Sequence, residues 1–257
     1  MTALSPFISD RHTLPRPARR RRHLVVREAT PDVAHGRFIP KIISRPVKPG
    51  FGFKFAIFAG IHGDEEAGTL AAFDLIRWAS EQPAELRDYE LHIYPVCNPT
   101  GRRSNTRHSS NGLDLNRQFW DESDEPEVQY LETELRREKY DGIISLHSDD
   151  ESDGVYGFVA GSLLSEQVLQ PALKAASAIL PRNDSQVIDG FLATEGIIRE
   201  NYLGMLTAPP EQSPKPLEIV FETPALAPLP QQVAASVKAV KTILSSYRRL
   251  HAYAPNL

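Results

Sequence analysis

The run Phe53-Lys54-Phe55-Ala56-Ile57-Phe58-Ala59-Gly60-Ile61 constrains the fold more than any other stretch of the chain. It is apolar at nearly every position and lacks the strict alternation of a strand with one wet face. That pattern predicts a buried central strand, covered on both sides. Gly60-Ile61-His62-Gly63 ends it in a tight turn. Ala72, Leu75, Ile76 and Ala79 then recur at i, i+3, i+4, i+7, which predicts an amphipathic helix from about residue 65 to 81. A strand, turn and helix joined in this way form the repeating unit of α/β architecture.

The alternation continues along the chain. Leu91 to Val96 reads as a second strand, and a polar stretch rich in Asn, Ser, Arg and Gly follows from Asn98 to about Glu125. Loops of that length inside a domain are commonly functional. Val128, Leu131 and Leu135 mark a helix, Asp141 to Leu146 a strand that delivers His147, and Leu217 to Phe221 a late strand that ends at Glu222. Val233, Val237, Val240, Leu244 and Tyr247 lie on one stripe of a C-terminal helix. No repeat or change of composition marks a second domain. The expected architecture is one α/β domain over residues 25–257, with a twisted, mixed and largely parallel central sheet and helices on both faces. Residues 1–24, rich in Pro and Arg, are expected to be an irregular segment outside it. In such sheets ligands gather beyond the carboxyl ends of the strands, where His62, Asn98, His147 and Glu222 all fall.

A net charge of −4 supplies no general attraction to nucleic acid or to an anionic membrane, so the expected partner is a small molecule or peptide. No apolar run is long enough to cross a bilayer. Cys97 is the only cysteine and closes an apolar run, which points to a buried structural thiol in a reducing compartment. The basic stretch Arg16-Pro17-Ala18-Arg19-Arg20-Arg21-Arg22 is followed by only three apolar residues before charge returns at Arg27, too few for an export signal. A cytoplasmic location follows as the expectation.

His62 and Glu65 stand three residues apart where a strand turns into a helix, so that both side chains can converge on one point. Zinc takes nitrogen and oxygen ligands in a roughly tetrahedral shell, and a catalytic site supplies three of them. His147, at the end of another apolar strand and followed by Ser148-Asp149-Asp150-Glu151, is the natural third ligand. The pair His62 and Glu65 is weak evidence alone, and a lone strand-end histidine is more often a satisfied core residue; joined to the motifs that follow, the combination becomes far more specific.

His62-Gly63-Asp64-Glu65, Asn98-Pro99-Thr100-Gly101, Asp114-Leu115-Asn116-Arg117, His147 and Phe221-Glu222-Thr223-Pro224 occur in the order found in the zinc carboxypeptidases. Over residues 55 to 225 the chain resembles the short bacterial branch that includes murein peptide amidases. It also resembles the succinylglutamate desuccinylase and aspartoacylase branch, which shares the core. The resemblance implies one Zn2+ per chain on His62, Glu65 and His147, with Glu222 as the glutamate that moves protons. Its apolar setting suits a raised pKa. Arg107, ten residues before Arg117, resembles the arginine that stabilises the oxyanion, with Arg102 and Arg103 as neighbouring alternatives. Asn116 and Arg117 resemble the pair that grips a substrate carboxylate, and Asp114 the carboxylate that orients the first zinc histidine. The mobile tyrosine of the peptidases has only positional candidates, Tyr202 and Tyr156.

The function so implied is a zinc-dependent metallocarboxypeptidase or peptide amidase acting on short peptides. The alternative is a deacylase of N-acyl amino acids, for which Asn116 and Arg117 would hold an amino-acid carboxylate equally well.

Overall fold

A computed structural model describes residues 24–29, 38–46 and 52–253. The basic stretch Arg16 to Arg22 lies outside the described residues. At the centre of the sheet stand four strands: β3 (Phe53–Ala59), β4 (Tyr89–Tyr94), β5 (Gly142–Asp149) and β10 (Leu217–Pro224). They are mutually parallel in the order β4-β3-β5-β10. On one side β2 (Ile39–Ser44) pairs antiparallel with β4, and β1 (Leu24–Ala29) with β2. On the other side β6 (Tyr156–Val159) runs antiparallel to β10. Beyond it lie three short strands, β9 (Ile197–Ile198), β8 (Phe191–Thr194) and β7 (Val187–Ile188). Apart from the short parallel pair of β6 with β9, parallel pairing is confined to the central four strands, and the antiparallel flanks make the sheet mixed.

The unbroken apolar pattern of β3 is explained by what covers it. Phe55, Ile57 and Ala59 pack under α1 (Glu66–Glu81), α5 (Gln170–Ala176) and α6 (Leu229–Tyr253), while Ala56 and Phe58 face α3 (Pro126–Glu138) on the opposite side. All five are completely buried. The predicted stripe of α6 is rotated in the structure. Its buried centre is Ala235, Ala239, Val240, Ile243, Leu244 and Tyr247, and Val233 and Val237 sit at the margin. Small side chains at the centre let α6 lie close to α1, whose buried face is also rich in alanine.

Strand bounds differ slightly from the sequence reading. β4 begins and ends two residues earlier, and β5 extends through His147 to Asp149. The long polar stretch holds a short helix, α2 (Pro99–Ser104), and a 3-10 turn, Leu115–Arg117, and a single turn, α4 (Ser162–Leu164), precedes α5. No described helix is long and apolar enough to cross a membrane.

Candidate active site

The four parallel strands end at one edge, and every motif singled out above meets there. After β3 the chain turns through Gly60, with φ +64°, and then His62-Gly63. A Cβ on Gly63 would lie 2.0 Å from the carbonyl carbon of Gly101, so only glycine lets this turn nest against α2. Asn98 secures that neighbour: its Oδ1 accepts from the Gly101 N–H at 2.8 Å and caps α2. Asn98 is fully buried and serves the scaffold. His147 on β5 pairs in register with Glu222 on β10, and Glu222 pairs with Tyr156 on β6. Lateral pairs project to the same face, so these three side chains form a row.

His62, Glu65 and His147 offer ligand atoms that all lie within 4.8 Å of one another. Nδ1 of His62 contacts Glu65 Oε1, and Nδ1 of His147 lies 3.0 Å from Glu65 Oε2. The two Nδ1 atoms face each other at 3.3 Å. Both imidazoles are 3% exposed. Two buried ring nitrogens turned toward each other and a shared carboxylate form a donor set that fits a divalent cation of the zinc type. Burial pulls the His62 pKa down, but Glu65 and Asp114 outweigh it and hold the group at about 9 without a metal. Burial pushes Glu65 up, but His147 and His62 bring it down to about 2.

Asp114 links this cluster to the next one. One oxygen lies 3.1 Å from Nε2 of His62 and also accepts from the Asn116 N–H at 2.9 Å. The other takes Nε and Nη2 of Arg107 at 3.0 and 2.9 Å. The third guanidinium nitrogen of Arg107 lies 3.7 Å from Glu65. Arg107 is thus fixed beside the metal donors with part of its hydrogen-bonding capacity still free.

His62, Glu65, His147 and Arg107 line one cavity of about 240 Å³, together with Asn116, Arg117, Tyr156, Tyr202 and Glu222, while Asp114 stands behind it. Asn116 Oδ1 accepts from the Leu206 N–H at 2.9 Å, which leaves its amide nitrogen for the cavity. The guanidinium of Arg117 lies over the ring of Tyr202 at 4.1 Å. Behind it Gly204, with φ +73°, approaches the Arg117 backbone so closely that a Cβ there would come within 2.4 Å of its carbonyl. Tyr202 gives its hydroxyl to the backbone carbonyl of Asp189 at 2.6 Å. Burial first, then the nearby carboxylates Glu65, Asp149 and Asp189, raise the pKa of Glu222 well above the usual carboxylate range.

Sequence reasoning did not find the far wall, formed by Asp149, Asp150, Glu151 and Asp189. The acidic run after His147 was visible as a run, but nothing in the sequence directed it into the cavity. Asp189 sits in an Asp-Gly turn, a strong hairpin signal that was available. His108 is exposed and does not line the cavity.

A donor set fit for a divalent cation thus stands at the carboxyl edge of a mixed α/β sheet. Residues 52–185, just over half of the chain, match the succinylglutamate desuccinylase/aspartoacylase catalytic domain. The chain belongs to that family. A stretch of 109 residues is 28% identical to Carboxypeptidase SOL1 of Arabidopsis thaliana, a match that spans 36% of this chain and 22% of that protein's length. The fold is shared with a Shewanella denitrificans protein assigned to the metallopeptidases, with a TM-score of 0.73 at 21% identity over 86% of this chain and 83% of the other. It is shared also with a metallo-carboxypeptidase of Burkholderia cenocepacia, with a TM-score of 0.70 at 19% identity over 90% and 66%.

Proposed function

We propose that the protein is a zinc-dependent deacylase that hydrolyses the amide bond of small N-acyl amino acids, with one zinc per chain on His62, Glu65 and His147. The observation that carries this reading is the sharing of one small cavity by the converging donors, Glu222 and Arg117. At about 240 Å³ it falls below the roughly 300–1,000 Å³ of clefts that hold drug-sized ligands. It suits one acylated amino acid.

A zinc ion there would acidify a water molecule and polarise the scissile carbonyl. Glu222 takes the proton of the attacking water and delivers it to the leaving nitrogen, a shuttle favoured by its raised pKa. Arg107, held by Asp114, presents its remaining N–H groups to the developing oxyanion. Arg117 and the amide nitrogen of Asn116 take the substrate carboxylate. Tyr202 supports the Arg117 guanidinium from below. Asp114 fixes the ring of His62 through Nε2. In this reading residues 25–257 form the catalytic domain, residues 1–24 lie outside it, and the enzyme works in the cytoplasm, where the lone buried thiol of Cys97 stays reduced.

A second reading, a carboxypeptidase of short peptides, is favoured by a neighbouring cavity of about 370 Å³ that shares Glu65, Arg107, Ser148 and Asp150 with the first. That space would accept a chain beyond the scissile bond. The two are separated by offering the zinc-loaded protein N-acyl amino acids and peptides with a free terminal carboxylate. Release of free amino acid from the N-acyl compounds at the higher kcat/KM is expected. Turnover of peptides alone would transfer the assignment to the second reading, and turnover of neither would overturn both.

A further inference from the structure

The cavity has walls of opposite charge. Arg107, Asn116 and Arg117 face it from the long loop after β4, and four carboxylates face it from the other side. Asp149, Asp150 and Glu151 come from the end of β5, and Asp189 from the β7–β8 turn. None of these four has an ion-pair partner among the described residues.

Two of them are held in place. Tyr156, 1% exposed, donates its hydroxyl to Asp149 Oδ2 at 2.9 Å, and the Glu151 N–H donates to Oδ1 at 2.9 Å. Asp189 and Gly190, with φ of +52° and +80°, form a two-residue hairpin turn. The hydroxyl of Tyr202 binds the Asp189 carbonyl, the ring of Tyr202 meets Phe191 edge-on at 4.6 Å, and its face carries Arg117. Asp189 is therefore tied to the same side chain that supports the carboxylate anchor. Between the two walls Glu222 has no hydrogen-bond partner among the described residues, although its surroundings are largely protein.

Asp150, Glu151 and Asp189 are exposed and Asp149 is half-buried, and like charges gathered on one wall of a cavity repel unless an opposite charge enters. The metal position would neutralise Glu65, and a substrate carboxylate would occupy Arg117. The acidic wall then remains without a counter-charge. We propose that the substrate carries, besides its carboxylate, a cationic amino or guanidino group that lies between Asp149 and Asp189. This rests on the deacylase reading and narrows it to N-acylated basic amino acids.

The test uses Nα-acetyl-L-lysine, Nα-acetyl-L-ornithine and the uncharged isostere Nα-acetyl-L-norleucine. Binding is measured by calorimetry on the zinc-loaded, full-length Glu222→Gln protein, so that it does not depend on turnover. One of the cationic ligands should bind about tenfold tighter than norleucine or better, the size of one charge-assisted hydrogen bond. That ratio should collapse in Asp189→Asn and in Asp149→Asn. Zinc content is measured for each variant, and Asp189→Asn, on an exposed turn, keeps the test intact if Asp149→Asn disturbs the neighbouring histidine. Equal affinity for charged and uncharged ligands, or a ratio untouched by Asp189→Asn, overturns the proposal. Equal kcat/KM on all three compounds in the wild type would overturn charge selection and leave the deacylase standing. Selective binding without turnover would do the reverse.

Discussion

On the α3 face of the sheet Lys41, 2% exposed, lies 2.8 Å from Glu134 and 2.8 Å from Glu138. Tyr94 donates to Glu134 and meets Tyr140, and His92 contacts Tyr140 through one ring nitrogen and Glu90 through the other. At the carboxyl edge of the same sheet His62, Glu65 and His147 are also buried and in mutual contact. The first cluster is closed, since its cation and both nitrogens of its histidine are matched within the protein. The second leaves two ring nitrogens facing each other, His147 Nε2 without a partner, and Glu222 unbound. Burial of charge alone therefore does not identify a site. A structural network completes its own valences, and a reactive one gathers donors that are not all matched within the protein.

The contrast can be broken by substitution. Glu222→Gln should lower kcat by about 10²–10⁴-fold, the worth of a positioned proton carrier, while zinc content stays unchanged. Undiminished turnover in that variant would remove Glu222 from the mechanism. Lys41→Met leaves buried Glu134 with only the half-exposed Arg137 as its cation, and urea unfolding should report a loss of up to about 3 kcal/mol, short of the penalty for a wholly unpaired buried charge. Activity per folded molecule should persist, because Lys41 does not line the cavity. Asp114→Asn should weaken zinc binding by about 10–100-fold, as expected when the partner that orients a ligand is lost.

The smallest expected effect is a difference in pH dependence, at most about 1.4 kcal/mol per pH unit for each group. In the metal-free protein His62 is raised from its ordinary 6.5 to about 9, so its contribution is complete below pH 6.5 and is lost as pH rises through about 9. Burial, then Lys41, lower His92 to about 4, so the fold holds it neutral and loses stability as pH falls from 6.5 toward 4. Urea unfolding across this range should show opposite slopes, removed separately by His62→Gln and His92→Gln. Slopes of the same sign would contradict the distinction between the clusters.

The same contrast governs how much the sequence disclosed. β3, α1, α3, β5, β10 and α6 were legible because each carries a long run or stripe of burial. β2 was not singled out, because Lys41 interrupts its apolar pattern and only the distant Glu134 explains why a lysine is buried there. The edge strands β7 and β9 have two residues each, too short for any periodicity. His62, Glu65, Asp114, Arg117, His147 and Glu222, singled out at turns and strand ends, are brought together by the structure. The acidic wall was not legible, because its direction depends on Tyr156 and Tyr202, which hold Asp149 and the Asp189 turn from other elements. His92, two residues from Glu90 on β4, is buried inside the closed network.

The central claim, that the open cluster is a catalytic zinc centre, is tested by titrating chelated, metal-free protein with zinc while following hydrolysis of N-acyl amino acids. Activity should rise in proportion to zinc and level off at one ion per chain, and His62→Ala and His147→Ala should neither bind the ion nor gain activity. Full hydrolysis by the metal-free protein, or unchanged zinc content in His62→Ala, would contradict the account.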